Sequence, residues 1–337
     1  MVPAGVLQFA ARKIPGFGQW YAVTIYPWIV GIYGRICGLV PFSVVEMGLY
    51  GLVLFFVYSL LRRERKWRKM FAGVFFTAGL LAFLYTANCG VNYYRKPFSS
   101  YLDLQVGKAN TKDLKALCQE LVEKINETAP EGPVDMGLLA QGKLARTGKA
   151  AMEKLGEEYP ALSGCYPVPK PVMVSWILAV QQLCGVYSPF TVEANYNWQM
   201  TGYNIPHTIC HELSHLRGFM REDEANFIGI LACTESDDAY FRYSGYLMAW
   251  IHAGNALAKA DVESFYELHS QLCGQAVQDL QENNKYWDQY EGKVAEVSNQ
   301  VNDTYLKLND QKDGVQSYGR VVDLMLAMFL QNRQEAQ

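Results

Sequence analysis

The chain has 337 residues, with 30 Lys/Arg, 33 Asp/Glu and five His, a net charge of −3. That length admits two domains. Residues 1–95 hold ten Lys/Arg and only two acids, Glu46 and Glu64, which leaves 20 basic and 31 acidic residues, or −11, for 96–337. An acidic surface over the larger part argues against nucleic acid as a partner.

Residues 1–11 read as the tail of a further apolar segment, one that would begin before this chain. No cleavable signal peptide is evident. Residues 17–40 are apolar and aromatic, but Gly31, Gly34, Arg35 and Gly38 interrupt them and Pro27 and Pro41 punctuate them. A third span would fit by hydropathy. Orientation favours an apolar piece on the membrane surface, or a re-entrant one.

Phe42–Leu61 and Met70–Val91 are each about 20 residues of apolar sequence, enough to cross a bilayer as helices. Arg62-Arg63-Glu64-Arg65-Lys66-Trp67-Arg68-Lys69 joins them. A short basic loop between two spans stays cytoplasmic. Two buried core helices would leave that loop unexplained. The expected organisation is therefore a membrane region, 1–95, with spans about 42–61 and 70–91. An extracytoplasmic domain, 96–337, follows. The expected location is the cell membrane, multi-pass, with the lipid bilayer as one partner. Oligomeric state is not legible.

Of eight cysteines, six lie in the domain: Cys118, Cys165, Cys184, Cys210, Cys233 and Cys273. An external domain permits disulfides, but six cysteines allow 15 pairings. No CxxC pair suggests a cysteine metal site.

The domain reads as largely helical. Leu114, Leu117, Leu121 and Ile125 predict a helix over Thr111–Thr128. Leu138–Leu155 is a second, and Val172–Leu183 is either helix or buried strand. Tyr187–Tyr196 is the best candidate for an extended segment, able to bind a substrate strand or simply to pack over the next helix. Within it, Glu193 and Asn195 could orient substrate or a histidine, or serve as turn residues. Ala256–Leu280, Tyr286–Lys307 and Tyr318–Arg333 are the main later helices.

Asn204-Ile205-Pro206 opens a helix, with proline in its first turn. That helix carries His211-Glu212-Leu213-Ser214-His215. Residues i and i+4 share one helix face, about 6 Å apart at Cβ, so both imidazoles can reach one metal ion. Glu212 can act as general base on a metal-bound water. A catalytic zinc site needs a third protein ligand. Glu222 on an unbroken helix would lie about 10.5 Å further along the axis than His215. The chain must therefore reverse at Gly218-Phe219-Met220 for a glutamate to return. Glu222 and Glu224 point about 200° apart on the next helix, so only one can face the metal. Asn226, at i+4 from Glu222, can accept the second ring N–H of a liganding histidine. That pairing favours Glu222, with Glu224 as the alternative ligand. His207 lies one turn before His211, suited to substrate, a second ion or a plain helix start. Tyr243, Tyr246, Arg242 and His252 are candidates to stabilise an oxyanion, Tyr243 first.

The paired motifs, His211-Glu212-x-x-His215 and Glu222-x-x-Ala225-Asn226, resemble the gluzincin metallopeptidases. Their H-E-x-x-H helix is followed by one bearing E-x-x-x-D or E-x-x-A-N. The gap here is shorter than is usual for them. A longer set also resembles an uncharacterised family of bacterial membrane proteins. It includes Pro41-Phe42-Ser43, Tyr187–Asn195, Gly218-Phe219, Arg221–Phe227, Tyr243–Tyr246 and Ser317-Tyr318-Gly319. The resemblance implies a mostly α fold. N-terminal transmembrane helices would lead into a largely helical, zincin-like domain with a small β element. It also implies one Zn2+ per chain, held by His211, His215 and Glu222, with Asn226 behind them. Glu212 and Tyr243 would be catalytic, on protein or peptide substrates. The competing reading is an inactive zinc-binding sensor or scaffold. Proteolysis inside the membrane is disfavoured, because the motif follows the last span by more than 100 residues of polar sequence.

Overall fold

A computed structural model describes residues 1–61, 67–107, 110–132, 136–309, 311 and 320–335. The first residues of the basic loop, 62–66, lie outside the described residues, as do Ser317-Tyr318-Gly319 and the expected start of the last helix. The fold is mostly helical, with one three-stranded sheet.

The apolar N-terminal sequence forms two long helices, Val44–Leu61 and Trp67–Asn88. One apolar stretch, Phe71–Tyr94, is long and apolar enough to cross a membrane, and Val44–Ser59 is a shorter apolar one. Residues 17–40 do not make a third span. They break into Phe17–Thr24, Tyr26–Ile29, a π turn over Val30–Gly34, and Arg35–Gly38. Trp20, Trp28, Ile32, Ile36 and Leu39 are exposed on this segment, whereas Tyr21, Tyr26 and Val30 are buried. Those buried residues join one hydrophobic core with Cys89, Val91, Ile209, Leu213, Phe241 and Trp250. The parts before and after residue 95 are thus not separate packing units.

Strands β1 (Lys170–Pro171), β2 (Gly185–Ser188) and β3 (Glu193–Tyr196) form the sheet in the order β1-β3-β2. β2 and β3 are antiparallel, Val186 opposite Asn195. The extended segment expected over 187–196 is therefore mostly two strands and their turn, and β2 is an edge. Glu193 does not approach the histidines. Its carboxylate accepts the Val44 and Val45 N–H groups and the Lys170 ammonium at 2.5 Å. It caps the start of an apolar helix, where the helix dipole favours an anion. Glu46 on that helix accepts the Met173 and Val174 N–H groups in return.

The motif helix, Asn204–Leu216, is central and almost wholly buried. It packs against the Leu138–Glu158, Glu222–Thr234 and Ala239–Ala260 helices and against β2 and β3. The expected Thr111–Thr128 helix is present, with Asn110 accepting the Asp113 N–H at its start. Residues 172–183 form only a short helix, Trp176–Ala179, between turns. The long helices expected further on are broken, into Val262–His269, Gly274–Asp288 and Lys293–Leu308. Asp261 ends one helix and caps the next by accepting the Ser264 N–H at 3.0 Å. Gly292 supplies a second break at φ +144°.

Candidate functional site

The chain reverses where the glycine allows it. Phe219 N–H reaches Ser214 O at 3.2 Å and Gly218 N–H reaches His215 O at 2.8 Å. This is the Schellman closure of a helix, which needs a left-handed residue between its two bonds. Gly218 takes that place at φ +88°, and a Cβ there would press within 3.3 Å of the Asn92 side chain. The next helix, Glu222–Thr234, opens with Glu222, Asp223 and Glu224, acids that suit a helix N-terminus.

The reversal brings Glu222 back to the histidines. Its carboxylate oxygens lie 3.3 Å from His211 Nε2 and 3.7 Å from His215 Nε2. The two Nε2 atoms are 3.1 Å apart. Ligand atoms of all three side chains fall within 4.8 Å of one another. Zn–N bonds of about 2.1 Å at tetrahedral angles put two nitrogens roughly 3.4 Å apart, close to what is observed. The other ring nitrogens are engaged. His211 Nδ1 meets Asn226 Oδ1 at 3.1 Å and His215 Nδ1 meets Phe219 O at 2.8 Å. Asn226 Nδ2 donates to Glu222 O at 2.8 Å, which orients the amide with its oxygen toward His211. With both Nδ1 atoms donating, neutral His211 and His215 each turn an Nε2 lone pair toward the Glu222 carboxylate. Such a cluster needs a proton or a cation. Burial pushes the His215 imidazole down to about 4. Burial pulls His211 down too, but Glu222 outweighs it and holds that imidazole above its usual range.

Glu224 faces elsewhere. It accepts the Phe98 N–H at 3.1 Å, and burial raises its carboxyl to about 7. Glu212 lies beside the cluster on the motif helix. Burial pushes its carboxyl up to about 8, and Oε2 is buried with no hydrogen-bond partner. His207 is buried, with Nε2 3.3 Å from Asn226 O, and burial lowers it to about 3, which keeps it neutral.

These groups open onto a cavity of about 560 Å³, lined by His207, His211, Glu212, His215, Glu222 and Asn226. β2 supplies Gly185, Val186 and Tyr187 to its wall. The Gly185 backbone approaches Glu212 so closely that a Cβ would sit 2.6 Å from Oε1.

Tyr243 is a correction to the sequence reading. It is fully buried away from this cavity, and its hydroxyl donates to Asp279 at 2.5 Å. An apolar helix face carried it into the core, and its one polar atom found a carboxylate there. Arg242 is engaged with Ser236 O and Asp237 O at the start of the same helix. Tyr246 and His252 do not line the cavity. Sequence reasoning missed Cys89, Tyr93 and Tyr305, which do line it. The first two end the apolar Phe71–Tyr94 stretch, and nothing local in sequence ties them to the motif.

A family model described as "Protein of unknown function (DUF3810)" matches residues 21–326. The chain belongs to that family. The match takes in the Phe71–Tyr94 stretch, the sheet and all of the convergent side chains, so the apolar helix and the candidate site fall within one DUF3810 unit. No curated protein and no solved structure matches the chain.

Proposed function

We propose that this DUF3810 protein is a membrane-anchored zinc peptidase. The reading is carried by the convergence of His211, His215 and Glu222, with ligand atoms within 4.8 Å of one another, beside the buried Glu212 carboxylate, whose Oε2 has no hydrogen-bond partner. His211, His215 and Glu222 would hold one Zn2+, and Asn226 and the Phe219 carbonyl would fix the imidazole tautomers. A zinc ion there supplies a Lewis acid that acidifies water and polarises a scissile carbonyl. Glu212 takes the proton from the attacking water and delivers it to the leaving amine. β2, an edge strand in the cavity wall, offers main-chain groups to an extended peptide.

The basic sequence at 62–69 favours a cytoplasmic loop between two spans, and hence an extracytoplasmic site. A scaffold that used zinc only structurally would have no use for a buried acid next to the ligands with one oxygen left without a hydrogen bond.

Elemental analysis of the purified full chain should find about one zinc per chain, as three protein ligands plus water require. Glu212→Gln should keep the zinc and lose hydrolysis of a proteome-derived peptide library. A zinc-free wild type sinks the site, and full hydrolysis by Glu212→Gln removes Glu212 from the mechanism.

A further inference from the structure

The apolar helix does not merely precede the site; it forms part of it. Phe71, Val74, Phe75 and Phe76 are exposed, and the last exposed apolar residue of this helix is Phe83, at 37%. From Thr86 to Asn92 the chain is buried in the domain. Cys89 and Tyr93 then stand in the cavity wall. Six residues separate Phe83 from Cys89, about 9 Å of helix at 1.5 Å per residue. The cavity therefore begins roughly two helical turns above the last bare apolar surface.

The end of this helix is fastened to the site at several points. Asn88 Nδ2 donates to Pro189 O at 2.6 Å, and Tyr187 Oη donates to Asn88 O at 3.2 Å, which fixes the β2–β3 hairpin. Arg95 Nη1 donates to Arg217 O at 2.7 Å, beside the reversal between the two liganding helices. The Arg95 guanidinium also lies 3.6 Å from the Phe219 ring centroid. No flexible tether intervenes, so the cavity's height above the membrane is fixed.

The far wall carries the same signature. The Lys293–Leu308 helix turns Ser298, Asn302 and Tyr305 to the cavity. Tyr93 donates to Tyr305 Oη at 3.2 Å, which joins this helix to the end of the apolar one. Its other face exposes Val294, Val297, Val301 and Leu308, each at 58% or more. Valines in helical register on the outer face of a helix tied to the end of the apolar one suit the boundary between headgroups and acyl chains.

We propose that the substrates are polypeptides tethered in the membrane, cut within about ten residues of where they leave it. This rests on the peptidase reading above. An extended strand advances about 3.3 Å per residue, so roughly three residues cover the 9 Å. With the depth of the cavity added, the scissile bond falls within about ten residues of the bilayer. Free polypeptides would have to enter a cavity pressed against the lipid surface. A tethered chain is delivered to it. A transmembrane helix and an acyl chain both present such a segment.

The full chain, loaded with zinc in phosphatidylcholine–phosphatidylglycerol vesicles, tests this. One disordered reporter is supplied on a transmembrane helix, on a palmitoyl chain, free, and on the helix through a Gly/Ser spacer. About 30 spacer residues lift the reporter roughly 30 Å off the bilayer. Cut positions are mapped by mass spectrometry. The expected result is cutting close to the anchor, at least tenfold faster than for the free or spaced reporter. The two anchored arms show whether helix, acyl chain or both are accepted. Cutting that follows the reporter's own sequence at any height, or equally fast cutting of the free form, overturns the proposal. If zinc is bound and no form is cut, the peptidase reading fails instead. A photo-crosslinking residue at Val186 in Glu212→Gln then decides the proposal separately. Preferential capture of the tethered reporter's first residues supports it, and equal capture of the free form overturns it.

Discussion

Asn226 touches no expected metal position, yet its removal should weaken zinc binding strongly. Its Oδ1 lies 3.1 Å from His211 Nδ1, and its Nδ2 is held at 2.8 Å by Glu222 O. Asn226→Ala leaves the His211 Nδ1–H buried without an acceptor, a cost of about 1–3 kcal/mol. The ring can escape that cost by moving its proton to Nε2. The N–H then points at His215 and Glu222, and a ligand lone pair is gone. Loss of such an orienting partner typically weakens metal affinity about 10–100-fold, or roughly 1.4–2.7 kcal/mol, in line with the first figure. Asn226→Asp should behave oppositely. It keeps an acceptor toward Nδ1 and makes the imidazole a stronger donor to the metal, so affinity should stay within about threefold or tighten. The assay is zinc binding to the full chain in detergent under chelator-buffered free zinc, with circular dichroism to confirm equal helix content. Wild-type affinity in a folded Asn226→Ala protein would refute the argument that this bond sets the His211 tautomer.

Gly185→Ala should leave zinc content unchanged and cut kcat by about 10–100-fold, because its Cβ would displace the Glu212 carboxylate from 2.6 Å away. Tyr243→Phe should keep activity within about twofold and cost roughly 1 kcal/mol of stability, since the hydroxyl serves Asp279 rather than a substrate; a large loss of kcat with zinc retained would restore Tyr243 to the mechanism. His252 contributes to acid sensitivity. Burial lowers its folded-state value to about 4, against an ordinary 6.5. Above the ordinary value both states are neutral and nothing is contributed; as pH falls from there toward 4 only the unfolded state gains the proton, which destabilises the fold by up to roughly 3 kcal/mol. His252→Gln should flatten the fall in melting temperature between those limits, and an unchanged acid limb would show that other groups cause it.

The parts of the site legible in sequence are those set by local geometry. His211 and His215 share a face because helical spacing demands it. Glu222 returns because Gly218 can close a Schellman turn, and Asn226 follows Glu222 by one helical turn. The apolar Phe71–Tyr94 stretch is legible from composition alone. What stayed hidden depends on packing between distant segments. Tyr305 reaches Tyr93 across 212 positions of sequence, and Tyr187 reaches Asn88 across 99. Local reading also turned a hairpin into one extended segment. A turn of four residues at 189–192, with Val192 at φ +55°, carries no glycine to announce it. Tyr243 misled because an aromatic beside polar residues resembles a site lining and a core position equally well. The signal for the break at Asp261 was present: an acid three residues before Ser264, the spacing of a helix cap.

Composition divided the chain into a membrane region, 1–95, and a domain, 96–337, and the contacts argue against the independence of the second part. A chain starting at residue 96 would keep His211, Glu212, His215, Glu222 and Asn226. It would lose Cys89 and Tyr93 from the cavity wall, Asn88 from the hairpin and Arg95 from the reversal. The Arg217 carbonyl at the reversal would lose a charge-assisted hydrogen bond, worth about 1.5–3 kcal/mol. Removal of buried Val91 and Cys89 would strip further apolar contacts, at about 2–5 kcal/mol for each side chain truncated from a core. Domains are commonly stable by only about 5–15 kcal/mol, so these losses together approach the whole. The truncated chain should therefore fail to bind zinc and melt broadly or not at all, whereas the full chain in detergent should bind zinc and melt cooperatively. A cooperative, zinc-binding protein from residue 96 onward would show that the apolar helix is dispensable to the site. Its absence would mean that the segments before residue 96 are structural parts of the site.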